Sequence, residues 1–265
     1  MSVLQSASPS RATVHRLQLV LAFTAIYIVW GSTYLAIRYA VESVPPLLMA
    51  GGRNVAAGGI LYAWLRWRGV PSPSAAEWRP AVLVGALLFL CGAGTLAWAE
   101  RRVASGLASL VFATIPLWTV MLAAACGRER PGRRSAVGVG LGLAGVATLV
   151  GVRSGDGAGA LDPLSTVVLL GGSLAWAAGS MPVLGRRLPG SRAMAAAAPM
   201  LAGGALLVAV GLLAGEGVAF SAPSVSLRSA LALGYLTGAG SLLGFTATPG
   251  CSPTRLRSAW PPTPL

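Results

Sequence analysis

The sequence predicts an all-α polytopic membrane protein, laid out as two inverted five-helix repeats of which the second is incomplete. Three observations predict it. Apolar letters make up 55% of the 265 residues and charged ones only 10%, with a mean hydropathy of +0.71, which is more apolar surface than one soluble core hides. The apolar letters fall in eight runs, each near the roughly 20 residues a helix needs to cross a bilayer. Two short patterns recur at one shift: Trp30 in IVWGSTY and Trp176 in SLAWAAGS lie 146 residues apart, as do Gly92 of GAGTL and Gly238 of GAGSL. Five spans per unit is an odd number, so the second unit enters the membrane from the opposite face. About eight spans are present where two such units imply ten.

The elements follow in order. Residues 1–16 read as a cytoplasmic N-terminal tail. Arg11 and Arg16 before an apolar run resemble the start of a signal peptide, but Leu19–Ile37 is too long for one and lacks a convincing cleavage site. The first helix is therefore expected to be retained. The spans are Leu17–Ala40, Pro46–Trp64, Pro80–Trp98, Val103–Ala125, Ala136–Val152, Leu164–Leu184, Ala193–Ala214 and Leu227–Ala247, the third and fourth parted only by the tight hairpin AERRV. Residues 17–152 form the first repeat, 153–163 an external linker, 164–247 the three helices of the second repeat, and 248–265 an aberrant tail. With the N-terminus cytoplasmic, twelve arginines fall in inside segments and four, Arg101, Arg102, Arg153 and Arg228, in outside loops. That asymmetry predicts an N-in topology in the cell (inner) membrane.

The net charge of +13 does not indicate nucleic acid, because the arginines sit in short clusters between apolar runs with no continuous basic face. All twenty basic residues are arginine and Asn54 is the one asparagine, a bias that looks like codon pressure from a GC-rich genome. Cys91, Cys126 and Cys251 have no CxxC spacing, and His15 is the single histidine, which argues against a metal site, haem or a His-based catalytic group. There is no nucleophile–base set and no HExxH, so an enzyme is not expected, nor a cofactor. GLGLAG from Gly140 to Gly145 fits a dinucleotide pattern but lies inside a span with no preceding strand. It reads as a small-residue helix seam, with Gly138 and Gly142 spaced for close approach. Asp156 and Asp162 lack the spacing of a calcium loop and read as linker.

Candidate site residues stand out against this apolar ground. Arg53 lies within the second span, where a guanidinium costs at least ~2.5 kcal/mol. It is either a counter-charge for an anionic or zwitterionic substrate or a helix-end arginine snorkelling to the interface. Trp30, Ser32, Thr33 and Tyr34 cluster around Gly31 and offer hydroxyls and aromatic walls for a midplane pocket, with Trp176 as the repeat counterpart. The competing reading for the hydroxyls is bonding back to their own helix. Glu100 and Arg38 flank spans and either pair across the outer mouth, take part in proton coupling, or sit solvated in loops. Pro116 in FATIPLW removes one helix hydrogen bond and is expected to kink the fourth span, beside the pathway or for packing alone.

WGSTYLAIRYA in the first span, GGRNVAAG in the second and AERRVASGLASLVFATIPLW across the third and fourth resemble the EamA-type branch of the drug/metabolite transporter superfamily, over roughly Phe23 to Ala247. The resemblance implies ten helices in two inverted repeats and movement, often outward, of small metabolites, amino-acid-like compounds or drugs. It places the family's second-span arginine at Arg53 and puts Glu100 at the head of the most specific motif. The expected partners are the lipid bilayer and a small-molecule substrate, with a coupling proton or ion and a second copy of the chain as further candidates.

The closing TPGCSPTRLRSAWPPTPL carries five prolines and two arginines straight after an apolar run. Back-translated from Ala247 one nucleotide earlier, it allows Tyr-Ala-Trp-Leu-Leu, an apolar continuation of the eighth helix. The tail is thus expected to be an out-of-frame shadow of the last two helices. The alternative function carried with this expectation is a transport-inactive truncated membrane protein or a scaffold.

Overall fold

The computed structural model describes residues 11–127, 132–152, 163–181, 188–189 and 191–243. Outside them lie 153–162 of the expected linker, with Asp156 and Asp162, the ends of the sixth and eighth spans, and the whole of 248–265 with Cys251. Arg128, Arg130, Arg153, Arg186 and Arg187 of the orientation count also lie outside. Among the described residues all regular structure is helical.

Each expected span is helical over most of its described part, with non-helical residues at the ends of some spans and at Ala113 and Thr114 inside the fourth. The first two are α1 (Arg11–Ala40) and α2 (Pro46–Trp67). The third is one continuous rod made of α3 (Ala75–Gly85), a π-helical stretch (Ala86–Ala93) and α4 (Gly94–Ala99). The fourth is split into α5 (Ser105–Phe112) and α6 (Ile115–Ala125). Then follow α7 (Arg133–Val152), α8 (Pro163–Gly179) and α9 (Arg192–Leu213). The short α10 (Glu216–Ala219) leads on to α11 (Leu227–Tyr235), which runs into a second π-helical stretch (Leu236–Leu243). Among the described residues Ala75–Ala99, Ser105–Ala125 and Arg192–Leu213 are long and apolar enough to cross a membrane by length and composition.

Local chemistry sets the ends of these helices. Pro46 occupies the first turn of α2, where its missing N–H costs nothing. The free N–H groups of Leu47 and Leu48 donate instead to the Glu216 carboxylate, at 3.2 and 2.9 Å, so a residue 168 positions further on caps α2. At the other end Gly69, with φ +80°, donates to the Arg66 carbonyl while Val70 donates to that of Leu65, the paired bonds of a Schellman stop. The third rod opens on a capping box: Ser74 Oγ accepts from Glu77 N, and Glu77 Oε2 accepts from Ser74 N at 2.7 Å.

The centre of the bundle is the seam between α2 and α9. Both are 22 residues long, and their first and last residues lie 146 positions apart. A Cβ on Gly51 would come within 2.8 Å of Val208 N, one on Gly58 within 2.8 Å of Leu201 N, and one on Gly204 within 2.7 Å of Val55 N. The contacts advance along α2 as they retreat along α9, so the helices are antiparallel. They are also reciprocal: the 146-residue shift turns Gly58 into Gly204 and Val55 into Leu201, so each glycine meets the counterpart of the other's neighbour. Such a pairing has a two-fold axis across the seam. Where lipid tails are as apolar as the side chains, this close backbone approach, rather than escape from water, holds helices together.

The third rod packs on the same seam through Gly85, whose Cβ would lie 2.7 Å from Gly203 N. It meets α8 through Gly92, beneath the ring of Trp176, and through Leu87 and Leu88 against Gly179. In α7 Gly142 receives the methyls of Leu117, whereas Gly138 of the expected small-residue seam has nothing within 4 Å. The fourth span departs from the expected proline kink. Its helix breaks at Ala113 and Thr114, and Pro116 lies in the first turn of α6, where no intrahelical donor is needed. Thr114 holds the break: its hydroxyl donates to Val111 O at 2.6 Å and meets Ser173 Oγ of α8 at 3.0 Å, with Trp118 Nε1 donating to the same oxygen at 2.9 Å.

Candidate functional site

On α1, residues 30, 33, 34 and 37 share one helical face, and Trp30, Thr33, Tyr34 and Ile37 form one wall of a cavity inside the bundle. Arg53 of α2 enters from a second side, and Ala93 and Leu96 of the third rod from another. Phe112 and Ile115, on either side of the break in the fourth span, Trp176 of α8, and Gly240 and Ser241 of the second π-helical stretch complete it. The enclosed space is about 60 Å³, room for a few waters or part of a compact solute. Both π-helical stretches border it, in keeping with the frequent placement of π-bulges at functional sites.

The walls are aromatic and pinned edge to face. Trp30 and Trp176 meet with ring centroids 6.2 Å apart, Trp176 and Phe89 at 6.4 Å, and Tyr34 and Phe112 at 6.5 Å. Arg53 is only 9% exposed, and among the described residues its Nε has no hydrogen-bond partner. The ion pair seen among the described residues, Arg228 with Glu42 at 3.6 Å, lies elsewhere. A guanidinium so placed retains donor capacity that an arriving anion can use. Beside it Asn54 donates through Nδ2 to Ala50 O at 2.8 Å, leaving Oδ1 unpartnered.

The remaining sequence candidates separate. Thr33 lines the cavity, but its hydroxyl donates to Val29 O at 2.6 Å, the back-bonding alternative. Ser32 points off the cavity face, where its hydroxyl meets Ile28 O at 2.5 Å and Tyr235 OH at 2.6 Å. Pro116 is exposed and does not line the cavity. Glu100 sits one helical turn beyond Leu96, in the turn after the span Ala75–Ala99, and is 0% exposed with neither carboxylate oxygen partnered. Burial pushes its carboxyl up to about 8, against a downward pull from the Arg38 guanidinium. Arg38 does reach Glu100, but its Nη1 donates to the backbone carbonyl. Ile37, Ala93, Leu96, Phe112, Ile115, Gly240 and Ser241 line the cavity without having been singled out as candidates in the sequence. Ile37 was signalled by the i, i+3, i+4, i+7 stripe that starts at Trp30, while Phe112 and Ile115 lie inside the AERRVASGLASLVFATIPLW motif and Ser241 inside the repeated GAGSL.

Comparison with known proteins gives three findings. The profile of the EamA-like transporter family matches residues 17–151. The inner membrane transporter YedA of Escherichia coli (strain K12) is 41% identical over 229 residues, a match covering 85% of this chain and 71% of YedA, and protein PagO of Salmonella typhimurium is 31% identical over 107 residues, 39% of this chain and 34% of PagO. A solved crystal structure shares the fold, with a TM-score of 0.58 at 24% identity, covering 91% of this chain and 78% of that one.

Proposed function

The chain belongs to the EamA-like transporter family and is a membrane transporter, and on that premise we propose that it is a secondary exporter of small organic anions or zwitterions, such as amino-acid-like metabolites or drugs, across the inner membrane. The observation that carries this reading is Arg53, buried and, among the described residues, without an acidic partner, in a cavity walled by Trp30, Tyr34, Phe112 and Trp176. The guanidinium anchors a carboxylate or similar anion, and the rings cover an apolar body. Movement proceeds by alternating access between two inverted repeats, 17–152 and 164–247, about the α2–α9 seam. The antiparallel, reciprocal packing of those two helices supports it, because a pseudo-two-fold axis lets the same contacts re-form on either side. The N-terminus is cytoplasmic, which puts the Glu100 turn at the outer end of the cavity.

The test is a ligand screen on the purified chain in lipid nanodiscs, read by tryptophan fluorescence and then by transport in proteoliposomes. Monocarboxylates and amino acids should bind and matched organic cations should not. Arg53→Gln should weaken anion binding by about 10- to 100-fold, the loss of one charge-assisted hydrogen bond worth about 1.5–3 kcal/mol. Arg53→Lys, which keeps the charge without the planar fork, should fall between. A cation-selective profile, or anion affinity untouched in Arg53→Gln, would overturn the assignment.

A further inference from the structure

Glu100 has no counterpart among the acidic residues of the described chain. Glu42 shares the ion pair with Arg228, Glu77 caps the third rod, and Glu216 caps α2. Glu100 is fully enclosed, and both carboxylate oxygens lack a hydrogen-bond partner among the described residues. An ionised carboxylate offers about four acceptor sites. Enclosing it with all of them empty is so unfavourable that the group takes up a proton instead.

The surroundings agree. From α1, Arg38 and Tyr34 face Glu100, the guanidinium donating to its carbonyl. α5 and α8 bring no ionisable side chain, and Arg53 of α2 borders the cavity, which Glu100 does not line. On its own turn Arg101 and Arg102 are exposed, with Arg102 stacked 4.1 Å from the Trp98 ring centre. The turn is pinned by Glu100 N to Leu96 O at 2.9 Å and by Val103 N to Ala99 O at 2.8 Å. Leu96, one turn before Glu100, and Tyr34, one turn before Arg38, both line the cavity. Any displacement of this turn therefore moves a cavity wall and exposes the carboxyl to water and to three guanidinium groups.

We propose that Glu100 is a proton-binding latch: the neutral carboxyl holds this end of the cavity closed, and release of its proton to water accompanies opening of the Arg38–Glu100 contact. The link works in both directions, because a site that binds a proton more tightly when closed is biased towards closure by acid and loses its proton when the end opens. The latch rests on the cavity being the transport site, but its titration does not require substrate.

The experiment uses the full chain in nanodiscs with no ligand added. Infrared difference spectra from about pH 5 to about pH 10 should show a protonated-carboxyl band in the wild type that disappears through the region of pH 8, and Glu100→Gln should lack it. In a background with Cys91, Cys126 and Cys251 changed to alanine, Ile37→Cys should react with a water-soluble maleimide faster as pH rises through the same range, the rate being taken at each pH relative to that of a cysteine replacing the exposed Gly132, which removes the pH dependence of the thiolate itself. Adding Glu100→Gln, a permanent neutral mimic, should hold the rate at its low-pH value. Absence of the band at neutral pH in the wild type, or pH-dependent labelling that survives Glu100→Gln, would overturn the latch. Should the glutamine variant fail to elute as a single folded species, Glu100→Asp must move the midpoint of the band, and an unmoved midpoint counts against the proposal. Arg53→Gln separates the two readings. Loss of anion binding with the titration intact supports the cavity assignment and leaves the latch standing, whereas intact anion binding in a wild type without the titration sinks the latch alone.

Discussion

Arg53 and Glu216 show how differently two charges can be placed at apolar helices. Arg53 is enclosed with no carboxylate paired to it among the described residues, and its Nε is left without a hydrogen-bond partner there. Glu216 is answered at once by the Leu47 and Leu48 amides. Glu216→Ala should therefore lower the unfolding free energy in detergent by about 1–2 kcal/mol, the cost of a lost cap, with Glu216→Gln in between because its single carbonyl still accepts. Thermal scans of the two variants read this directly, and an unshifted alanine variant would show the cap to be idle. At this scale the sequence was legible wherever a residue was chemically out of place. Arg53 in an apolar run and the Trp30, Thr33, Tyr34 cluster declare themselves, and the structure gathers them with Trp176 in one cavity. Phe112 and Ile115 fall within the AERRVASGLASLVFATIPLW motif and Ser241 within GAGSL, yet their letters mark no cavity, because any membrane helix carries them. Ser32 and Thr33 are adjacent hydroxyls in sequence, yet 100° of helical rotation sends one to Tyr235 and the other to the cavity.

Among the helices, positions follow from local hydropathy and ends from local turn chemistry, which is why Pro46, Gly69 and Ser74 mark their boundaries so well. The internal breaks are another matter. The fourth span breaks at Ala113 and Thr114, where Ser173 of α8 offers the Thr114 hydroxyl a polar partner and also accepts from Trp118 Nε1, and that contact with α8 is tertiary. The π-helical stretches likewise leave no local signature in ALLFLCGA or LTGAGSLL. The α2–α9 seam makes a sharper claim about the glycines. Gly58→Val and Gly204→Val press a side chain on the equivalent backbone of the opposite helix, so each should destabilise by about 1–3 kcal/mol, and by similar amounts. The exposed Gly31 and Gly52, with nothing within 4 Å, should tolerate alanine without such loss. Unfolding midpoints of the four variants check this, and a large disparity between Gly58 and Gly204 would break the reciprocity.

For the molecule as a whole, orientation is the quantity most exposed to test. If the N-terminus is cytoplasmic, a single cysteine replacing Ala104, which is exposed in the turn after Glu100, should be labelled in intact cells by an impermeant thiol reagent. One replacing the exposed Gly132 should be labelled only after permeabilisation, and the reverse pattern would invert the topology together with the outer placement of the Glu100 latch. By itself the sequence determined the all-helical membrane class, the positions of the helices, the 146-residue correspondence and the family. Each rests on hydropathy, period or motif, properties that a segment carries wherever it is placed. Only the tertiary structure decided which face of α1 looks inward, that α2 and α9 meet glycine to backbone, and that Glu100 is shut away unpartnered while Arg38 holds its carbonyl. Those outcomes depend on which side chains from distant parts of the chain come within a few ångströms of one another, and in an apolar bundle the letters of any one helix are too uniform to encode that.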